Sequence, residues 1–396
     1  MLAMSFYKRR ICDRVLRTAL LLLVSLTPLA AQSIENVWSG VERIVAIGDV
    51  HGDYDNYLTV LKEAGLIDKR GKWAGGKTHF VQVGDVPDRG PDTDKVIRHL
   101  MKLEKQARKA GGFVHALIGN HEAMNMVGDL RYVHPGEYEA LTNRGSKKAL
   151  NAYYERVVDY LGTQDNPPVI NESFRKSWYA KHPVGFVEHR QIWHPLGEFG
   201  KWVSTHNAVI KINGILFVHG GLGKSALEMD LDDINATIRS ELRAPSNAPD
   251  RLSDSEDGPL WYRGLAQPDN AEEALHLEAL LEHFDAQRLV IGHTPGMGTI
   301  VPRYDARVLI IDSGLSGHYG GYKASLLVES GELFTRQGGE LVPIPGSQDA
   351  LLPYYKKIAA LQPGINNLEA TIQRLENPPR EEPAEDEPLP EAAVEN

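Results

Sequence analysis

The chain has 396 residues, of which 42% are hydrophobic and 24% charged, with a net charge of −10. That balance excludes a wholly disordered chain, and the acidity excludes a nucleic-acid binder built on a basic surface. The only cysteine, Cys12, excludes a disulfide framework, a thiolate zinc site and a cysteine-dependent phosphatase, whose nucleophile wants an arginine six residues on, where Thr18 stands.

The amino terminus carries Lys8, Arg9, Arg10, Arg14 and Arg17, then an apolar run over residues 19–30, then Ala31 and Gln32. This is the layout of a secretory signal peptide over residues 1–31, with an apolar run short for a membrane span. The expectation is an exported chain, periplasmic or secreted, held at the inner membrane only if the segment stays uncleaved.

Five short apolar runs follow, and each stops at a glycine-containing cluster of metal-type side chains. Residues 44–47 lead into GDVHG at 48–52, 80–83 into GDVPDRG at 84–90, and 113–118 into GNHE at 119–122. Residues 215–218 lead into HGG at 219–221, and 289–291 into GHTP at 292–295. Helical periodicity fills the first gaps over 57–66 and 93–110, where Val96, Leu100, Leu103 and Ala107 share a face. Strand and helix in alternation predict an α/β layered fold, with the clusters outside the carboxyl ends of the strands.

Between the third and fourth clusters, residues 128–206 hold Tyr153, Tyr154, Trp178, Tyr179, Phe186, Trp193 and Trp202. They read either as the lining of a substrate cap or as a helical insertion with its own small core. His115, inside an apolar run, is expected in the core, and His206 outside the ligand set. DSG at 312–314 reads as a turn, and GHYGGYK at 317–323 lacks the order of a nucleotide P-loop. Residues 351–375 read as two short helices split at Pro363, with Ile365, Leu368, Ile372 and Leu375 on one face; from Asn377 five prolines and an acidic run predict a disordered tail.

Asp49, His51, Asp85, Asn120, His219 and His293 form an oxygen and nitrogen donor set without sulfur, suited to manganese, iron or zinc. Six ligands exceed one tetrahedral ion; with Asp85 as the candidate bridge they divide between two ions about 3.5–4 Å apart, an arrangement for in-line displacement at phosphorus. A water shared by the two ions becomes the nucleophile as hydroxide. Arg89 can fork onto two phosphate oxygens, and His121, if oriented by Asp88, can act as general acid for the leaving oxygen.

Together GDxHG, GDxxDRG, GNHE, HGG and GHTP, in this order, resemble the calcineurin-like metallophosphoesterases, in the phosphoprotein phosphatase branch where DRG and NHE occur together. GPLWYRG at 258–264 and the long segment after GNHE are similar to the Shewanella-like phosphatases, a group that prefers phosphotyrosine. The resemblance implies that Asp49, His51 and Asp85 hold one metal and Asp85, Asn120, His219 and His293 the other. It further implies that His121 and Asp88 form the acid dyad and that Arg89 and Arg263 grip phosphate. Its fold is a four-layer sandwich of two packed mixed sheets flanked by helices, here a domain over 42–346 with a largely helical insertion at about 128–206, then C-terminal helices at 347–376 and the acidic tail at 377–396. Pro87 stands where many relatives carry valine, at a position with no ligand role.

The expected activity is hydrolysis of phosphomonoesters on a phosphorylated protein or peptide, with two divalent ions, manganese first, and no nucleic acid partner. A nucleotide hydrolase that splits diadenosine tetraphosphate symmetrically shares the same loops. A non-catalytic phosphoprotein-binding module would be marked by loss of a ligand or of the dyad, and neither is lost.

Overall fold

The computed structural model describes residues 34–244 and 251–378, so the expected signal peptide and all but the first two residues of the expected tail lie outside the described residues. In chain order come β1 (Val37–Trp38), β2 (Arg43–Ile47), α1 (Tyr54–Glu63), β3 (His79–Gln82), α2 (Thr93–Ala110), β4 (Phe113–Ala116) and α3 (Asn120–Val127). The insertion supplies α4 (Pro135–Ala140), α5 (Ser146–Gly162), α6 (Glu172–Lys181), α7 (Phe186–Trp193) and α8 (Glu198–Val203). Then follow β5 (Val209–Ile212), β6 (Ile215–Val218), α9 (Leu231–Arg243), α10 (Ala271–His283), β7 (Arg288–Ile291), β8 (Val301–Arg303) and β9 (Val308–Ile310). The chain closes with β10 (Ala324–Glu329), β11 (Glu332–Gln337), β12 (Glu340–Pro343), α11 (Leu351–Leu361) and α12 (Asn366–Glu376).

Two six-stranded sheets form, in the orders β1-β5-β6-β7-β9-β8 and β12-β11-β10-β2-β3-β4. Both are mixed: β2, β3 and β4 run parallel, as do β6, β7 and β9, while β10 and β8 pair antiparallel with β2 and β9. Strand β2 explains why its sequence is a continuous apolar run. Successive side chains point to opposite faces, and both faces are covered. Ile44 and Ala46 pack with Val81, Phe217 and Val290 between the sheets. Val45 and Ile47 instead pack with Phe80, Leu61 of α1 and Leu100 of α2 on the outer face. On the other outside, α9 and α10 bury Ile234, Leu277 and Leu280 against Leu216, Val218 and Ile291. Each such fully buried side chain stabilises by about 1.5–3 kcal/mol.

The sandwich expected from the sequence is thus present, with three adjustments. The sheet begins before residue 42, because β1 pairs parallel with β5. Helix α1 stops at Glu63 rather than reaching Leu66, since Gly65 turns left-handed (φ 69°) and the Leu66 N–H returns to the Leu61 carbonyl. The helix pair α11 and α12 buries Ile365 and Leu368 with Tyr354 and Ile358, but Leu375, expected on the same face, stays 39% exposed.

In the insertion, Tyr138, Leu150, Trp178 and Phe186 form a core of their own with Tyr153, Tyr154 and Tyr179 packed against it. The indole of Trp178 stacks on His182 at 4.1 Å. Trp193 enters the body's core, and Trp202 donates to the Glu104 carboxylate. The insertion-with-a-core reading therefore holds for Tyr153, Tyr154, Trp178, Tyr179 and Phe186, while Trp193 and Trp202 pack on the body.

Candidate active site

The six loops that follow β2, β3, β4, β6, β7 and β9 meet at the carboxyl rim of the two sheets. Their approach leaves no room for side chains: a Cβ on Gly84 would lie 2.6 Å from the Gly119 nitrogen, and one on Gly48 would lie 2.6 Å from the Asp312 Cα. Val50 and His51 donate their N–H groups to the Asp85 carbonyl, both at 3.0 Å, and His293 donates its N–H to Asp49 Oδ1 at 3.1 Å. Five non-glycine residues here hold left-handed backbones: His51, Asp85, Asp88, Arg89 and His293, with φ between 46° and 71°. Such strain persists only where the surroundings over-determine it, and it concentrates at functional sites.

All six residues of the expected donor set come together, and all are buried. The His51 Nδ1 lies 3.1 Å from the Pro87 carbonyl, which can only accept, so in the neutral ring Nε2 carries the lone pair. That lone pair faces Asp49 Oδ2 at 3.7 Å and Asp85 Oδ2 at 3.8 Å. His219 is fixed the same way by the Val83 carbonyl at 3.0 Å. Its Nε2 faces Asn120 Oδ1 at 2.8 Å, Asp85 Oδ1 at 3.2 Å and His293 Nδ1 at 3.1 Å. Asp85 thus turns one oxygen to each cluster. The His293 Nε2 is buried without a hydrogen-bond partner.

These residues fit divalent cations. Lone pairs of imidazole and carboxylate converge in both clusters, and four carboxyl groups, Asp49, Asp85, Glu122 and Asp312, are buried together. Burial, then Asp312 and Asp85, push the Asp49 carboxyl well above its usual range; burial and then Asp85 raise Glu122 to about 6. Burial also raises Asp312 to about 6, with Asp85 adding to it. Burial opposes ionisation of Asp85 as well, but the imidazoles of His219 and His121 outweigh it and hold Asp85 well below the carboxylate range. A site that crowds anions in this way is stabilised by cations among them.

His121 turns Nε2 towards the first cluster and Nδ1 towards Asp88. Its Nδ1 lies 2.5 Å from Asp88 Oδ2, while its Nε2 is 3.7 Å from Asp85 Oδ2. Burial alone would lower this imidazole, yet Asp85 and then Asp88 raise it to about 8. Asn125, one helical turn on, donates from Nδ2 both to Asp88 Oδ1 and to the His121 carbonyl, each at 3.0 Å. The Arg89 guanidinium lies over the Tyr132 ring at 3.9 Å, and its Nε is buried with no partner. Arg263 is exposed at the rim, where Nη1 donates to the His293 carbonyl (3.0 Å) and to Thr294 Oγ1 (2.9 Å). Its neighbours separate: Trp261 sets its edge against His293 at 5.8 Å, and the Tyr262 hydroxyl donates to Glu273.

Several residues of the site carry no role in the sequence reading. Glu122 accepts the N–H groups of Asp85 (2.9 Å), Val86 (2.8 Å) and Gly119 (2.8 Å), tying two loops together. Its place as third helical residue after Gly119 is the capping-box signal that could have found it. Asp312, read as part of a turn, lies at the floor of the site against Gly48. Tyr319 packs on His51 with centroids 5.3 Å apart, and Tyr132 on His121 at 5.2 Å. The segment before Tyr319 is pinned by Asp53 Oδ2, which accepts the Gly317 N–H at 2.8 Å, and by Asn56 Nδ2, which donates to the Leu315 carbonyl. His115 and His206 stay outside the site, one bonded to His79 and the other to Glu104.

The profile of the calcineurin-like phosphoesterase family matches residues 42–297. Shewanella-like protein phosphatase 2 of Arabidopsis thaliana is 32% identical over 298 residues, 69% of this chain and 72% of that one. Shewanella-like protein phosphatase 1 of Plasmodium berghei is 29% identical over 289 residues, covering 70% of this chain and 68% of that one. Among solved structures, the cold-active protein-tyrosine phosphatase of a psychrophilic Shewanella superposes with a TM-score of 0.61 at 31% identity, over 79% of this chain and 83% of that one. Motif loops, converging ligand atoms and relatives agree: the chain is a metal-dependent phosphatase that belongs to the calcineurin-like phosphoesterase family, in its Shewanella-like protein phosphatase group.

Proposed function

We propose that this phosphatase acts on phosphotyrosine in protein or peptide substrates, with two divalent ions and direct attack of water, without a covalent phosphoenzyme. The observation that carries the two-ion reading is Asp85, whose Oδ1 faces His219 and whose Oδ2 faces His51. Asp49, His51 and Asp85 would hold one ion; Asp85, Asn120, His219 and His293 the other. Manganese suits this sulfur-free donor set first, and iron or zinc also fit. When bound, the ions supply positive charge for the phosphate and lower the pKa of the attacking water.

The remaining steps belong to side chains. Arg89, with its buried unpartnered Nε, and Arg263, beside His293, hold phosphate oxygens. His121, oriented at Nδ1 by Asp88, gives a proton from Nε2 to the leaving phenolate oxygen. Tyr132 and Tyr319 stand on either side of the His121 and His51 pair, and two rings there favour a flat aromatic ester over a seryl or threonyl stub. The amino-terminal basic and apolar segment supports export to the periplasm or exterior. No helix among the described residues is long and apolar enough to cross a membrane.

The test is phosphate release from matched phosphotyrosine and phosphothreonine peptides after chelation and re-addition of manganese, with Asp85→Asn alongside. The expected result is manganese-dependent turnover favouring phosphotyrosine by about tenfold or more, with the substitution costing on the order of 10³-fold. Faster phosphothreonine turnover would remove the tyrosine preference. Silence on both peptides with cleavage of diadenosine tetraphosphate would transfer the site to nucleotide hydrolysis, and phosphopeptide retention without any turnover would make it a binding module.

A further inference from the structure

The acid dyad rests on two strained residues, and the insertion holds both of them. Asp88 and Arg89 have φ of 71° and 65°, a region that L-residues keep only when their surroundings fix them. The surroundings of their own backbone N–H groups come from one short stretch of the insertion. Asp88 donates its N–H to Glu137 Oε1 at 3.1 Å, and Arg89 donates its N–H to the Tyr132 carbonyl at 3.0 Å. Between these two contacts Gly136 closes on Pro91, so tightly that a Cβ there would come within 2.6 Å of the Pro91 Cβ. The Glu137 side chain also accepts the His134 N–H, at 3.3 Å, and so caps its own helix α4. Capping α4 needs only that local bond; the Asp88 N–H lies 49 residues away in sequence and in another element.

We propose that Glu137 is a positioning residue of the acid dyad: carried by the insertion, it fixes the left-handed Asp88 backbone and, through Asp88, aims His121 Nε2 at the leaving oxygen. This rests on the phosphatase reading above. Glu137 touches no reacting atom itself. Asn125 holds the Asp88 carboxylate from one side and Glu137 holds the Asp88 backbone from the other, so that the pair leaves the 2.5 Å contact to His121 one geometry. Burial, and after it the Asp88 carboxylate, push the Glu137 carboxyl up to about 8, which makes glutamine its close mimic near neutral pH.

A misaimed general acid reveals itself through the leaving group. An alkoxide or a tyrosine phenolate needs the proton, whereas p-nitrophenolate departs without it. The experiment therefore measures kcat and KM of the manganese-loaded full chain on phosphotyrosine and on p-nitrophenyl phosphate, for wild type, Glu137→Ala and Glu137→Gln. With Glu137→Ala, kcat on phosphotyrosine is expected to fall by about tenfold or more while p-nitrophenyl phosphate loses less than about threefold. Manganese content and KM should stay near wild type, and Glu137→Gln, which keeps an acceptor for the Asp88 N–H, should recover most of the loss. Equal losses on both esters, or no loss, would overturn the proposal, as would a loss that only extra manganese repairs. Should Glu137→Ala not fold, Glu137→Met keeps the volume without the acceptor and bears the same comparison. If both unfold while Glu137→Gln folds, the acceptor at this position serves stability alone and the proposal fails. A wild-type chain inactive on every ester would instead sink the phosphatase reading.

Discussion

At the sheet rim five non-glycine residues hold left-handed backbones, whereas from 128 to 206 no residue other than glycine does. The rim also crowds five buried carboxyl groups, Asp49, Asp85, Asp88, Glu122 and Asp312, and leaves Arg89 Nε and His293 Nε2 without partners. The insertion is held together by ring packing, with Trp178 stacked on His182 and edged by Tyr154 and Tyr179. One region is built against its local backbone preferences and is stabilised from outside; the other keeps ordinary backbones, although His189 within it has both ring nitrogens buried without a partner. Strain and uncompensated charge collect where ligands and substrate are to be bound, and the cost is borne by packing elsewhere.

The largest test of this contrast is His121→Asn. If the rim is tuned for proton delivery, kcat on phosphotyrosine should drop by about 10²–10⁴-fold, with a much smaller loss on p-nitrophenyl phosphate and bound manganese unchanged. A substitution that released the metal, measured by elemental analysis, would show His121 to be a ligand in the cluster it shares with His51 and Asp85.

The contrast also explains what could be read without coordinates. Asp49, His51, Asp85, Asn120, His219 and His293 were legible because each sits within a few residues of a glycine turn at a strand end, so motif and position coincide. The sheets were legible from runs such as residues 44–47, apolar on both faces because both faces are covered. Glu137, Tyr132, Tyr319 and Asp312 were not, because their roles come from contacts between distant elements. Tyr132 lies three residues ahead of Pro135, an ordinary proline start to α4, and only the Arg89 stacking gives it meaning. The insertion's aromatic residues left two readings open for the same reason, since a ring that lines a cap and a ring that fills a lobe share one composition.

A second test acts on the insertion alone. Trp178→Ala removes a ring that is 8% exposed and should cost about 3–5 kcal/mol, most of it within the lobe. Thermal unfolding should then show a lower or an additional early transition, while kcat on phosphotyrosine stays within about threefold. A fall in kcat matching that of Glu137→Ala would mean that lobe and rim form one cooperative unit, and the contrast would dissolve.

The smallest expected effect lies at the seam between the two regions, where Glu137 meets Asp88. A carboxyl that ionises at 4.5 in the unfolded chain and at about 8 when buried binds more protons in the folded state throughout that window. Its contribution to stability is therefore fully present below about 4.5 and is lost as pH rises through about 8. Glu137→Gln cannot ionise, so melting curves at fixed manganese should show the variant gaining on the wild type by a few degrees between pH 5 and pH 9, with the gain levelling off above. Curves that run parallel across this range would mean that the Glu137 carboxylate is already ionised and held as an anion by the N–H groups of Asp88 and His134. The seam would then share the charge crowding of the rim, and Asp88 would face a second negative group in place of a neutral acceptor.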